Sequence, residues 1–295
     1  MKIFVSGGTG FVGGHVCRAL RERGHELRLL VHSKKQSSES GIQYFAGDVG
    51  HPASFAEGLT GCQAVINLIG IIREFPFKGI TFEKLHVQAT ANMLEVARKA
   101  GVKRFVQMSA IGTRAGAVSG YHRSKWRAEE EVRTSGLDWT IFRPSLIFGP
   151  HDAFINMLAA QLRLAPVMPV IGDGRYRMQP IHADDVARCF AQALEMPETI
   201  GQTYDLCGND RVSYEELLDL IAAVMGKSKP IKPHAPLGLM KLIIPVMQQI
   251  PQFPITMDQL QMLLEESISE GEWQKTFGFT PRGLQDGISE YLRKT

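Results

Sequence analysis

The chain has 295 residues, of which 44% are hydrophobic and 21% charged, and its formal net charge is +3. That length is enough for a large hydrophobic core, and the composition is that of a globular protein. A charge balance this close to neutral excludes a broad nucleic-acid footprint, so no nucleic-acid partner is expected.

The chain runs from Met1-Lys2 straight into Ile3 to Ser6, a predicted strand. This run is too short for a signal-peptide core, and no apolar stretch of transmembrane length follows, so the expected location is cytoplasmic. A glycine turn comes next, then a helix over about 12–23 that Gly24 stops. Leu27 to Val31 is the second strand; Ala64 to Ile69, Arg104 to Met108 and Thr140 to Phe142 are later ones, each preceded by a helical segment. Alternating helices and continuous apolar strands predict a parallel sheet covered on both faces. In the second half, Val167 to Val170 and Thr203 to Leu206 read as isolated strands among helices at 184–195, 214–225 and 258–264. The expected organisation is a nucleotide-binding domain over 1–150, with a segment near 175–205 returning to it, and a smaller, partly helical lobe over 151–295. The cysteines (Cys17, Cys62, Cys189, Cys207) show no metal-ligand spacing, so buried thiols and no metal are expected.

Ser6-Gly7-Gly8-Thr9-Gly10-Phe11-Val12-Gly13 lies between the first strand and the first helix. Gly7 permits the tight turn, Gly10 lets the backbone approach a pyrophosphate, and Gly13 allows close helix–strand packing. Helix amides and the positive dipole end then face the phosphates. Strand, turn and helix together give a Rossmann-type doubly wound α/β fold binding NAD(P). Gly7, Thr9, Gly10, Phe11 and Val12 are the candidate cofactor contacts. At the end of the second strand an acid would select NAD and basic groups NADP. The residues there are His32-Ser33-Lys34-Lys35, with no carboxylate, which favours NADP over NAD.

Gly120-Tyr121-His122-Arg123-Ser124-Lys125 opens a helix, and its spacing puts Tyr121 and Lys125 on one face. A neighbouring ammonium favours phenolate and is expected to lower the tyrosine's pKa from about 10. Ser109 follows a strand and offers a hydroxyl to a substrate oxygen; Thr113 and Ser119 are the alternatives.

With these pieces in order, the sequence resembles the extended or atypical branch of the short-chain dehydrogenase/reductase superfamily. The resemblance rests on the glycine turn, Gly47-Asp48-Val49, Asn67-Leu68-Ile69-Gly70, Ser109, Tyr121-x-x-x-Lys125, Arg143-Pro144, Phe148-Gly149-Pro150 and Ile181-His182-Ala183-Asp184-Asp185-Val186. It implies that Asp48 and Val49 contact the adenine, and that Leu68, Ile69 and Gly70 line the cofactor's middle. It also implies Tyr121 as acid/base, Lys125 as its tuner and ribose ligand, and Pro144 bordering the nicotinamide. Within the branch, Tyr121 to Trp126, Asp138 to Pro144, Tyr176 to His182, Tyr204 to Gly208 and Ser213 to Leu217 are similar to bacterial epimerase/dehydratase-type proteins. Those proteins are related to the nucleotide-binding accessory subunit of respiratory complex I. His86 stands where such proteins usually carry Asn, Ala110 follows Ser109 in place of a second hydroxyl, and Met178 replaces a substrate-clamping arginine, leaving Arg175 and Arg177 nearby. Asp184 and Asp185 read as helix caps.

Leu237 to Met257 is rich in Leu, Ile and Met and is interrupted by Pro245, Pro251 and Pro254, which argues against a membrane span. Two readings stand: core or lid packing, or contact with a partner such as a membrane complex or with a membrane surface, which would make the protein peripheral to the inner membrane. For the whole chain two functions stand as well. One is an NAD(P)-dependent oxidoreductase or epimerase acting on a carbonyl, alcohol or nucleotide-sugar-like small molecule. The other is an NADPH-holding structural or sensor protein of slight turnover.

Overall fold

The computed structural model describes residues 1–32, 41–250 and 253–293. Six strands, β1 (Lys2–Ser6), β2 (Glu26–Val31), β3 (Ile42–Ala46), β4 (Ala64–Asn67), β5 (Arg104–Met108) and β6 (Asp138–Pro144), form a sheet with a seventh, Gln202–Leu206, at its edge. The order is Gln202–Leu206, β6, β5, β4, β1, β2, β3, and neighbours among β1 to β6 pair in parallel. Ile3, Phe4 and Val5 of β1, Val65 and Ile66 of β4, and Phe105 and Val106 of β5 are each 0% exposed. Strands covered on both faces need such continuous apolar runs. Chain order reverses between β1 and β4, and in sheets of this kind ligands bind beyond the carboxyl ends of the strands at that reversal.

Helices α1 (Phe11–Glu22), α2 (Ala89–Lys99) and α3 (Gly120–Arg133) connect the strands, and a π-helical segment, Glu83–Gln88, runs directly into α2. Phe4, Phe55, Met93, Phe105 and Ile141 belong to one buried cluster of this region. The chain packs as two compact units: Met1–Pro144 with Asp184–Asp205, and Ser145–Ala183 with the chain from Leu206 onward. In the second unit, α4 (Ala153–Leu164), α6 (Tyr214–Val224) and α10 (Leu284–Leu292) share a core that includes Leu158, Ile221 and Ile288. Helices α5 (Ala183–Ala193), α7 (Leu237–Met247), α8 (Met257–Leu264) and α9 (Trp273–Phe277) complete the helical elements. The four cysteines are buried and form no disulfide.

Two strand expectations need correction. The strand at 203–206 is not isolated: it begins at Gln202 and joins the main sheet beside β6, and Gly201 N–H donates to the Trp139 carbonyl at 2.7 Å. Its partner lies some sixty positions upstream, so local pattern could not reveal the pairing. The strand at 167–170 shrinks to Val170–Ile171, paired with His234–Ala235. Met168 and Val170 N–H donate to the carbonyls of Ile231 and Pro233 at 2.8 and 3.0 Å, and Ile231 N–H donates to the Pro166 carbonyl at 2.8 Å. Pro233, the next position on the partner segment, has no amide hydrogen to donate, and the regular ladder starts only after it. Among the described residues no helix is long and apolar enough to cross a membrane, and no group of His, Cys, Asp and Glu could hold a metal ion.

Candidate functional site

The first element of the site is the turn from β1 into α1. Gly7 has φ +75°, and a Cβ there would lie 2.9 Å from the Leu68 carbonyl carbon. A Cβ on Gly13 would lie 2.2 Å from the Gly7 oxygen, so helix and turn approach at a distance only glycine allows. Gly10 differs: its Cβ would meet only Gly7 O at an ordinary 3.4 Å. Internal packing therefore does not require this glycine. Gly10 is the N-cap of α1, supplies no side-chain cap, and is followed by a first turn without an acid. The open amides of Phe11 and Val12, with exposed Thr9 and Gly10 before them, fit a bound pyrophosphate.

The neighbouring loop, which leaves β4, is held by a buried polar network. Ser6 Oγ donates to Asn67 Oδ1 at 2.7 Å, and Asn67 Nδ2 donates to Thr90 Oγ1 at 3.1 Å and Gln107 Oε1 at 3.0 Å. Ile69 N–H donates back to Asn67 Oδ1 at 3.3 Å. Ser6, Asn67 and Gln107 end or nearly end apolar strands, and register places Ser6 opposite Asn67 and Asn67 opposite Gln107. This network was not anticipated as part of the site; three polar residues closing apolar strands were the signal.

Helix α3 begins at Ser119, whose hydroxyl accepts from His122 N–H at 3.1 Å; this capping role accounts for Ser119. Tyr121, Lys125 and Glu129 recur at four-residue spacing and turn inward, with Tyr121 at 8%, Lys125 at 3% and Glu129 at 0% exposure. Lys125 Nζ donates to the carbonyls of Ile69 at 3.3 Å and Met108 at 3.4 Å, bridging the exits of β4 and β5. A Cβ on Gly70 would come within 2.9 Å of that nitrogen. Arg143 grips Glu129 with two bonds of 2.8 and 2.6 Å, and Arg133 adds a third at 2.5 Å.

Burial, not the ammonium, dominates the tyrosine. Tyr121 is pushed up to about 12, contrary to the lowering expected from its neighbour, and it is a neutral phenol at pH 7. Burial also brings Lys125 down to about 8, against the opposing pull of Glu129. The pair therefore presents a protonated acid beside an ammonium that is still charged at neutral pH.

His86, in the π-helical segment, closes the site from the other side. Its Nε2 accepts from Ile71 N–H at 3.1 Å, so its proton sits on Nδ1, which faces Ser124 Oγ at 2.8 Å. Ser124 in turn donates to the Tyr121 carbonyl at 2.8 Å. The rings of Phe82, His86 and Tyr121 meet at centroid separations of 5.2 to 5.8 Å. Burial, and then the charge on Lys125, lower His86 to about 2, so it stays neutral. π-Turns gather at functional sites, but local pattern does not reveal one.

The remaining candidates fall as follows. Ser109 is buried, its N–H donates to Phe142 O at 2.7 Å, and its hydroxyl donates to Thr113 Oγ1 at 3.4 Å, so these two alternatives are neighbours. Pro144 ends β6, and its carbonyl accepts from Ile111 N–H at 3.0 Å. Asp48 follows β3 and accepts from Gly50 N–H at 2.8 Å, which holds its carboxyl below the usual range. Val49 is anchored through its carbonyl by Asn92 Nδ2 at 2.7 Å. His32 is exposed just past β2, whereas Ser33 and Lys34 lie outside the described residues. Asp184 turns to α1, 2.5 Å from His15 Nδ1 and bonded to Arg18. Arg177 is engaged by Glu266 through bonds of 3.0 and 3.2 Å, and Met178 is buried.

A Rossmann-type sheet with a glycine turn at its reversal defines a dinucleotide-binding class. Residues 3–207 match the family described as "NAD dependent epimerase/dehydratase family", and the chain belongs to it. It is 28% identical over 229 residues to the Arabidopsis thaliana protein named NADH dehydrogenase [ubiquinone] 1 alpha subcomplex subunit 9, mitochondrial, covering 74% of this chain and 56% of that one. The chain thus spans about half the length of such relatives. It is 29% identical over 233 residues to the ceramide reductase of Caulobacter vibrioides, covering 77% and 71% respectively. The solved UDP-glucose 4-epimerase of Thermotoga maritima superposes with a TM-score of 0.77 at 20% identity, covering 100% and 99%, a likeness of fold alone.

Proposed function

We propose that this chain is an NADP(H)-dependent oxidoreductase or epimerase that acts on a carbonyl or alcohol carbon, with Tyr121 as its proton donor and acceptor. The observation that carries this is the inward-facing pair: a buried neutral phenol with a buried lysine one turn away, which is tied to the carbonyls of Ile69 and Met108. Buried ionisable groups of this kind are costly to keep and gather where chemistry is done. When bound, the nicotinamide would supply or accept the hydride.

The amides of the Gly10–Val12 turn would hold the pyrophosphate, with Gly7 and Thr9 beside them. Asp48 and Val49 would border the adenine, and Leu68, Ile69 and Gly70 the cofactor's middle. Lys125 would exchange a carbonyl partner for a ribose hydroxyl and hold positive charge near the Tyr121 oxygen. Protonated Tyr121 would donate to the oxygen of a carbonyl substrate, with Ser109 or Thr113 as a second donor, and Pro144 would close the nicotinamide side. His32 and the two residues after it would take the 2′-phosphate that separates NADP from NAD. The substrate class is a carbonyl or alcohol, the groups that a hydride and a phenol proton interconvert.

The first test is the thermal midpoint with NADPH, NADH or neither, for wild type and Tyr121→Phe. A larger rise with NADPH in both proteins, with turnover lost only in the variant, is the expected result. Equal rises with NADH would remove the NADP preference, and no rise in nucleotide-free protein would remove the cofactor assignment.

A second reading, a cofactor-holding subunit of slight turnover, draws on His86. Both its nitrogens are committed within the protein, so neither is left to hold a water that would pass a proton to Tyr121. Nucleotide retained through purification that no carbonyl substrate oxidises would favour that reading, as would recovery with a membrane-bound complex.

A further inference from the structure

Helix α7 (Leu237–Met247) carries two apolar faces. Ile244 is buried within the protein, with Leu237, Met240 and Met247 partly so. On the opposite side Leu239 is 51% exposed, Leu242 75%, Ile243 38% and Val246 72%, and Ile250 just beyond the helix is 46% exposed. Their spacing, i, i+3, i+4, i+7 and i+11, makes one continuous stripe along the helix, turned to solvent. A surface helix ordinarily places charged residues there, and an aliphatic stripe left outside marks an interaction surface.

The chain that carries the stripe has formal charge of one sign. From Leu220 to Met257 no Asp or Glu occurs, whereas Lys227, Lys229, Lys232 and Lys241 do. Asp219, just before this stretch, pairs with Lys232 at 2.6 Å and Lys229 at 3.3 Å. Lys241 is exposed within the helix itself, and Lys227 is exposed upstream.

We propose that α7 lies in the plane of an anionic lipid surface, with the Leu239–Ile250 stripe in the acyl boundary and Lys241 among the headgroups. Three arguments select this occupant. An eleven-residue helix reaches about 16 Å, too short to span a bilayer but suited to lying on one. A stripe of five side chains falls well below the roughly 20–30 residues that each partner brings to a standard protein interface. A second copy seated on this stripe would bring two Lys241-bearing helices together, and α7 itself carries no acid to answer them. The proposal is independent of the chemistry at Tyr121.

The test is co-sedimentation of the full chain with vesicles of phosphatidylglycerol and phosphatidylcholine, and with vesicles of phosphatidylcholine alone. Binding to the anionic vesicles that weakens with added salt is expected, as is much weaker binding to the zwitterionic ones. The double variant Leu242→Glu/Val246→Glu should weaken binding at least tenfold, and Lys241→Glu several-fold. Both sites are exposed, so the double variant should keep the wild-type thermal midpoint and NADPH response. No binding to anionic vesicles overturns the proposal, and so does equal binding to both compositions. It also falls if a folded double variant binds as wild type does. A wild-type dimer that the double variant converts to monomers would give the stripe to a second copy and overturn it too.

Discussion

Helices α3 and α7 invert the usual rule in opposite directions. The first is mostly polar, yet it buries Tyr121, Lys125 and Glu129 completely or nearly so. The second is almost wholly apolar, yet it leaves Leu239, Leu242 and Val246 half or more exposed. Each placement costs stability: desolvating a lysine and a carboxylate in one case, hydrating aliphatic surface in the other. Arg133 and Arg143 answer Glu129 within the chain, and the contradictions that remain fall where folds break local rules for function. For α3 the proposed missing piece is the cofactor and substrate, met at the carboxyl ends of β4 and β5. For α7 the proposed one is an anionic lipid surface. The two helices therefore point to different partners, and substitutions in one should leave the other's behaviour intact.

The largest effect expected on the α3 side is chemical. Tyr121→Phe should lower turnover by roughly 10²–10⁴-fold, the range for losing a general acid or base, with the NADPH-induced rise in thermal midpoint retained. Lys125→Met should lose both turnover and the rise. Steady-state rates and melting curves separate the two outcomes, and a Tyr121→Phe protein of full activity would end the comparison. Next comes the turn: Gly13→Ala places a methyl group 2.2 Å from the Gly7 oxygen. Chemical denaturation should show a loss of about 1–3 kcal/mol or more from overpacking. Gly10→Ala meets no such clash, so it should spare the fold while weakening cofactor binding.

His86 sharpens the comparison further. His86→Leu leaves the Ile71 amide without its acceptor, which should cost about 1–3 kcal/mol, whereas His86→Gln offers both an acceptor and a donor and should recover part of it. Because His86 is held near 2 when folded and titrates near its usual 6.5 when unfolded, the unfolded chain binds more protons between those values. Its contribution therefore raises stability with increasing pH up to the unfolded value and removes stability as pH falls below it. The gap in thermal midpoint between wild type and His86→Gln should change between pH 6.5 and 5 and stay flat above pH 7.5.

The smallest effect lies on the alkaline side. Lys125 loses its charge above about pH 8, so NADPH affinity should decline by up to tenfold per pH unit beyond that point. A fluorescence titration of NADPH at pH 7, 8 and 9 measures it. Vesicle binding by α7, in contrast, should not follow this titration.

The glycine turn, the alternation of strands and helices, and the Tyr121–Lys125 face were legible in the sequence because each depends on residues within a few positions of one another. Local sterics set where a glycine is required and which residues share a helical face. The same local reading expected Tyr121 to be acidified by its lysine, because it counted the neighbouring charge and not the burial. Likewise it took 203–206 as isolated, since pairing with β6 depends on chain some sixty residues away.

Sequence alone thus determined the class of fold, the place of the glycine turn and the helical face that Tyr121 and Lys125 share. Only the tertiary structure decided that Asn67 ties β1, β4 and β5 together, that His86 is locked as a neutral imidazole, and that Glu129 is gripped by Arg133 and Arg143. It also decided which face of α7 looks outward. These features rest on burial and on partners distant in sequence. Desolvation and packing exist only once the chain has closed upon itself.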